Sequence, residues 1–179
     1  DNVSLSATKT GNTCSVTPSS INPVTGNATA TVSCTLNTYT VGGSNTDGAS
    51  VSIAGSSITG QSATTANPYS FDAKYGDVVT LTATKTGYTC SVAGSPITVG
   101  AANVTTANVS CTPITYTISV TNTPAAAVSI SGSTATNATN PNSATSFSFS
   151  ANYGDNVSLS ATKTGNTCSV TPSSINPVT

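Results

Sequence analysis

Apolar and polar residues alternate with a period of two along much of the chain. Val79, Leu81 and Ala83 fall on one side, and Thr80, Thr82 and Thr84 on the other. The same alternation runs through Val3, Leu5 and Ala7 and through Val157, Leu159 and Ala161, with Ser or Thr between them. A period of two with one apolar side predicts a half-buried strand. A second strand is predicted just before it, where Tyr69, Phe71, Ala73 and Tyr75 alternate with polar residues, matched by Phe147, Phe149, Ala151 and Tyr153. Each of these ends in Tyr-Gly-Asp, at Tyr75-Gly76-Asp77 and Tyr153-Gly154-Asp155, which is a turn signal. Residues 39–41, 49–54, 89–92 and 104–111 read as further strands, and residues 56–68 and 133–146 as loops. Val, Ile, Thr, Tyr and Phe favour strands, and good helix formers other than Ala are scarce, so the fold class is all-β.

The chain repeats itself. Residues 1–25 return without a change at 155–179, and a diverged copy runs over 77–100. Thr38–Thr40 recurs at Thr115–Thr117, Val51–Ile53 at Val128–Ile130, and Cys34 at Cys111, at offsets of 76 to 78 residues. The chain is therefore a tandem array of units of about 77 residues. Residues 36–113 fit one complete unit, 1–35 the second half of a preceding one, and 114–179 most of a third that stops before its closing strand. An open core and a bare strand edge at that point predict completion by further chain or by a neighbouring molecule.

Each unit offers few large apolar side chains, and domains this small commonly need a staple. Cys14 and Cys34 are 20 apart, Cys90 and Cys111 are 21 apart, and Cys168 is the counterpart of Cys14 and Cys90. The repeat-consistent pairing is Cys14–Cys34 and Cys90–Cys111, with the partner of Cys168 expected about 20 residues further on. Each bond closes a loop worth roughly 3 kcal/mol in the chain-entropy account, and disulfides of this kind imply an oxidising, extracellular setting. Reduced cysteines, interchain bonds and a metal site are the competing readings. The last is disfavoured by the absence of His and by single thiols so widely spaced.

Composition narrows the function further. The chain has 4 Lys, 5 Asp and no Arg, Glu, His, Met or Trp, and its charged fraction is 5%. There is no basic surface to meet a phosphate backbone, which excludes nucleic acid as a partner. No apolar run of membrane-spanning length occurs, so no membrane insertion is expected in this segment. Without His or Glu, the usual triads and acid–base pairs are missing. No catalytic, cofactor or metal site is expected, and the chain is not read as an enzyme.

At 74–90, KYGDVVTLTATKTGYTC, the sequence resembles divergent relatives of the internalin B-repeat, a bacterial surface-protein family. The shared features are an opening Tyr-Thr-Val strand at 38–41, the Tyr75-Gly76-Asp77 turn before a valine-rich strand, and Gly87-Tyr88-Thr89-Cys90 where the family has Gly-Tyr-Thr-Phe. The resemblance implies a small β-grasp-like unit strung in tandem along a secreted or wall-linked adhesin. Cys90 stands where the family has Phe, and the Trp that comes after it in the family is missing, so a disulfide takes the place of aromatic packing. An immunoglobulin-like sandwich is the alternative fold, although its long disulfide span and its Trp are lacking here.

Among individual residues, Asp77 and Asp155 are expected to cap backbone N–H groups in their turns. A calcium role with Asp72 or Asp47 is the weaker reading, since calcium needs several clustered oxygens. Lys9, Lys85 and Lys163 recur at the end of the valine-rich strand, where the stem covers the core and the amine reaches water. The sharper alternative is a lysine–asparagine crosslink resembling those of some surface adhesins. N-x-S/T sequons lie at Asn2, Asn27, Asn103, Asn108, Asn137 and Asn156. Together these readings predict a structural segment of an extracellular filament or cell-surface adhesin stalk whose partners are neighbouring copies of the same repeat. The alternative is an adhesive module that binds glycans or a host surface through Tyr39, Tyr69, Tyr88 or the polar loops.

Overall fold

The computed structural model describes residues 1–123, 125–135 and 145–179. Their secondary structure is entirely β. The strands in chain order are β1 (Val3–Ser4), β2 (Asn12–Thr17), β3 (Ser20–Ile21), β4 (Thr31–Leu36), β5 (Thr38–Gly43), β6 (Ser50–Ala54), β7 (Tyr69–Lys74) and β8 (Val78–Thr84). Next come β9 (Tyr88–Val92), β10 (Ile97–Thr98), β11 (Val109–Pro113), β12 (Thr115–Thr121), β13 (Ala127–Ser131), β14 (Ser146–Asn152), β15 (Val157–Thr162) and β16 (Ser174–Ile175). Part of the expected loop 133–146 lies outside the described residues.

These strands form an array of small antiparallel sheets, built twice to one plan. β5 pairs with β7 from Thr38↔Lys74 to Gly43↔Tyr69, and β12 pairs with β14 from Thr115↔Asn152 to Thr121↔Ser146. β8 is flanked by β6 and β10, and β15 by β13 and β16. The register repeats as well, with Val51 opposite Ala83 and Val128 opposite Ala161. Two-stranded ribbons, β2 with β4 and β9 with β11, complete the plan.

Two compact units emerge: residues Asp1–Thr84 with Cys90–Ser110, and residues Lys85–Thr89 with Cys111–Thr179. The first has its core between the β5/β7 and β6/β8 pairs, where Val41, Val51, Ala73 and Val79 are fully buried. The predicted apolar face of β8 is the buried one, since Val79, Leu81 and Ala83 point inward and the threonines outward. Tyr69 and Phe71 add an edge-on ring pair at 5.9 Å. The second unit repeats this with Val128, Phe149, Ala151, Val157 and Leu159.

Two expectations are corrected. Residues 104–111 are not one strand. Val104 makes a single parallel bridge to Val41, and regular pairing begins only at Val109. The intervening chain is held by side chains: Asn103 Oδ1 accepts from Thr40 N (3.0 Å) and Asn108 Oδ1 from Ser44 N (3.0 Å). Tyr75 is not a strand residue, because β7 ends at Lys74 and Tyr75 opens the turn. Lys85 follows directly on β8 and starts a tight turn closed by Tyr88 N–H donating to Lys85 O (3.1 Å).

Candidate functional site: the turn, the clamp and the repeat joint

The Tyr-Gly-Asp turn is a hydrogen-bonding hub. Gly76 and Gly154 take φ of 87° and 86°, conformations that glycine adopts without steric cost. Asp77 Oδ2 accepts from Ser57 N and Lys74 N, both at 2.8 Å, and Oδ1 accepts from Ser57 Oγ at 2.5 Å. Asp155 repeats the arrangement, with Oδ2 taking Thr134 N and Asn152 N (2.8 Å each) and Oδ1 taking Thr134 Oγ1 (2.7 Å). Burial acts to raise both carboxyl pKa values. The hydrogen bonds from Ser57 and Lys74, and from Thr134, Asn152 and Ser133, outweigh it and hold both below the ordinary aspartate value. Each carboxylate thereby ties a distant loop to the end of the strand before it.

A second device was not singled out in the sequence. Asn45 and Asn122 are almost wholly buried, at 1% and 7% exposure. The Asn45 amide donates to Ala49 O (2.8 Å) and its oxygen accepts from Ala49 N (3.0 Å). Asn122 makes the same two bonds to Ala126. Each closes the bend between consecutive strands by mimicking a backbone partner. The signal available was the recurrence of Ser/Thr-Asn-Thr at 44–46 and 121–123.

The third feature joins successive repeats. Gly11 sits against the ring of Tyr75 so closely that an added Cβ would lie 2.1 Å from it. Beside it, Asn37 N donates to Gly11 O (2.8 Å) and Tyr75 N to Asn37 O (3.0 Å). In the second unit Gly87 sits against Tyr153, with an added Cβ at 1.9 Å. There Ile114 N donates to Gly87 O and Tyr153 N to Ile114 O, both at 2.8 Å. The glycines have φ of 70° and 76°. Two reasons thus exclude a side chain at this position: the left-handed backbone and the ring. The third member of the series, Gly165, has φ of 74° and open space where a Cβ would go.

Cys14 and Cys34 are directly opposed on β2 and β4 and are joined by a disulfide. Cys90 on β9 and Cys111 on β11 are also disulfide-bonded. Cys168 is a free, half-buried thiol. Of the lysines, Lys85 places Nζ 4.2 Å over the Tyr88 ring, a cation–π contact. Lys9 and Lys163 are exposed and close turns, their carbonyls accepting from Asn12 N and Asn166 N.

The tyrosines offered for adhesion are mostly occupied. Tyr69 is 2% exposed and its hydroxyl donates to Ala107 O. Tyr39 is half-buried beside Asn37. Asn137 lies outside the described residues. Among the described residues no three His, Cys, Asp or Glu side chains group together, and no helix is long and apolar enough to cross a membrane. No protein-family model, no curated protein and no solved structure matches this chain.

Proposed function

We propose that this chain is a load-bearing repeat segment of an extracellular filament or cell-surface stalk, related to the β-grasp-like repeats of bacterial adhesins. The recurrence of the glycine-on-tyrosine joint carries this reading. A chain that gains length by adding units needs one interface used again at every border, and the joint provides it with the same three positions and the same two backbone hydrogen bonds. The disulfide ribbons support it, since a cross-strand bond limits how far a unit extends when pulled. The low charge fits a module that displays rather than captures. Electron microscopy of native material tests the proposal. An axial period of one or two repeats is expected, and protease treatment of intact cells should release the segment. Isolated globular particles, or a segment protected inside the cell, would overturn it.

A further inference from the structure

Within the first unit, β6 and β7 are edge strands. Among the described residues β7 pairs with β5 alone, and β6 with β8 alone. Asp72 lies opposite Thr40, and Val51 opposite Ala83. Thr40 turns its N–H and C=O away from β7, to Asn103 and Val104. The Thr40–Asp72 pair is therefore of the non-hydrogen-bonded kind, and the Asp72 N–H and C=O point outward from the sheet. Val51 presents its backbone outward from β6 in the same way.

An outward row of backbone groups is a template for another strand, and edge strands are commonly blunted by charge or proline. This chain has little of the first, with a charged fraction of 5%. β6 carries no charge, and the Lys74 amine of β7 is turned onto Thr38 Oγ1 (2.8 Å). Val51, Ile53, Tyr69 and Phe71 on these strands all favour β structure.

The loop of residues 55–68 covers both edges with single residues. Gln61, the one glutamine of the chain, sets its amide against Asp72. Its Oε1 accepts from Asp72 N (2.6 Å) and its Nε2 donates to Asp72 O (2.8 Å). These are the two backbone bonds that an added antiparallel strand would make at this residue. Ser56 Oγ donates to the same carbonyl (2.9 Å), and Asp77 Oδ2 takes the next outward N–H, that of Lys74 (2.8 Å). On β6, Val51 N donates to Thr64 O (2.8 Å) and Thr64 N to Val51 O (2.9 Å). Ser57, bound to Asp77, anchors the start of the loop. The Ser56 contact recurs in the second unit, where Ser133 Oγ donates to Ser150 O (2.9 Å) on β14.

We propose that Gln61 is an edge guard. Its amide occupies the backbone positions of a missing strand and keeps extended segments of other copies from adding to β7. A side-chain amide does here what charge does on other edge strands. The inference does not depend on the filament reading, because any folded protein of this composition has the same exposed-edge problem.

The test compares the parent 179-residue chain with Gln61→Ala and with the double variant Gln61→Ala, Asp72→Pro. Light scattering reads association, and amide hydrogen exchange reads the integrity of β5 to β8. Gln61→Ala bares the Asp72 N–H and C=O. It should associate at about tenfold lower concentration than the parent, the equivalent of one or two freed backbone bonds, with β5 to β8 protected as before. Asp72→Pro removes the outward N–H and leaves the β5 ladder intact, since proline is tolerated where the N–H faces away from the partner strand. The double variant should therefore return to the parent's onset. Should it fail to fold, the first comparison decides alone. Association of Gln61→Ala no readier than the parent's overturns the proposal. So does association that persists in a folded double variant, which would place the contact elsewhere. Lost protection across β5 to β8 in Gln61→Ala also overturns it, since Gln61 would then support the core rather than guard the edge.

Discussion

Replacing Cys14 and Cys34 by serine removes the bond that holds β2 to β4. The ribbon has little else: every β4 residue is exposed, Val32 stands 57% in solvent, and on β2 only alternate residues are half-buried. With a sequence separation of 20, the chain-entropy contribution of the cross-link is about 3 kcal/mol. Apolar burial on the ribbon, at about 25 cal/mol per Å² over a few half-covered side chains, contributes less than that. The effect should therefore be local opening rather than global unfolding. Amide hydrogen exchange reads it directly. Protection at Asn12–Thr17 and Thr31–Leu36 should fall by roughly two orders of magnitude, the equivalent of about 3 kcal/mol, while β5 to β8 stay protected. Unchanged protection on β2 and β4 in the double-serine protein would refute the argument that sulfur, not packing, holds the ribbon.

Other perturbations have outcomes of their own. Gly87→Ala should destabilise by more than Gly165→Ala in thermal melts, because both incur roughly 1 kcal/mol for a left-handed alanine but only Gly87 faces a ring; equal losses would dissolve the joint. Asn122→Ala strands the Ala126 N–H and C=O and should cost about 2 kcal/mol by denaturant titration; a change below half that would show that water replaces the clamp. Asp155 has a depressed folded pKa, so its contribution is fully present above the ordinary aspartate value of about 3.9 and is lost as pH falls through the lower folded value. Asp155→Asn should therefore flatten the acid limb of the stability curve and leave the difference from the parent constant between pH 5 and 8; an unaltered acid limb would contradict the hub.

How much of this was legible in the sequence depends on what each feature rests on. β8 was readable because Val79, Leu81 and Ala83 form an uninterrupted period of two beside an internal copy that varies only on the threonine side. The opposition of Cys14 and Cys34 was readable because the spacing of 20 recurs as 21 in the next copy. The turn aspartates were visible as turn residues, but their partners Ser57 and Thr134, 20 and 21 residues away, were not. Position 104 misled because a valine in a Thr/Asn-rich stretch looks like strand, while its neighbours Asn103 and Asn108 use side-chain oxygens where a ladder would use carbonyls. The face Val3, Leu5, Ala7 has the right period, and in its identical copy Val157 is fully buried while Val3 is 40% exposed, because β15 pairs with both β13 and β16 and β1 with β3 alone. The joint was hidden for a similar reason. Gly11 and Gly87 look like ordinary turn glycines until Tyr75 and Tyr153 are placed against them.

Nuclear Overhauser contacts from the three glycines test the joint itself. Gly11 and Gly165 lie in identical local sequence, so any difference between them comes from what is docked on them. In dilute solution, Gly11 Hα should show cross-peaks to the Tyr75 ring and Gly87 Hα to the Tyr153 ring, while Gly165 Hα shows no aromatic contact. Aromatic contacts absent from Gly11 and Gly87 alike would contradict a repeat array built on this border.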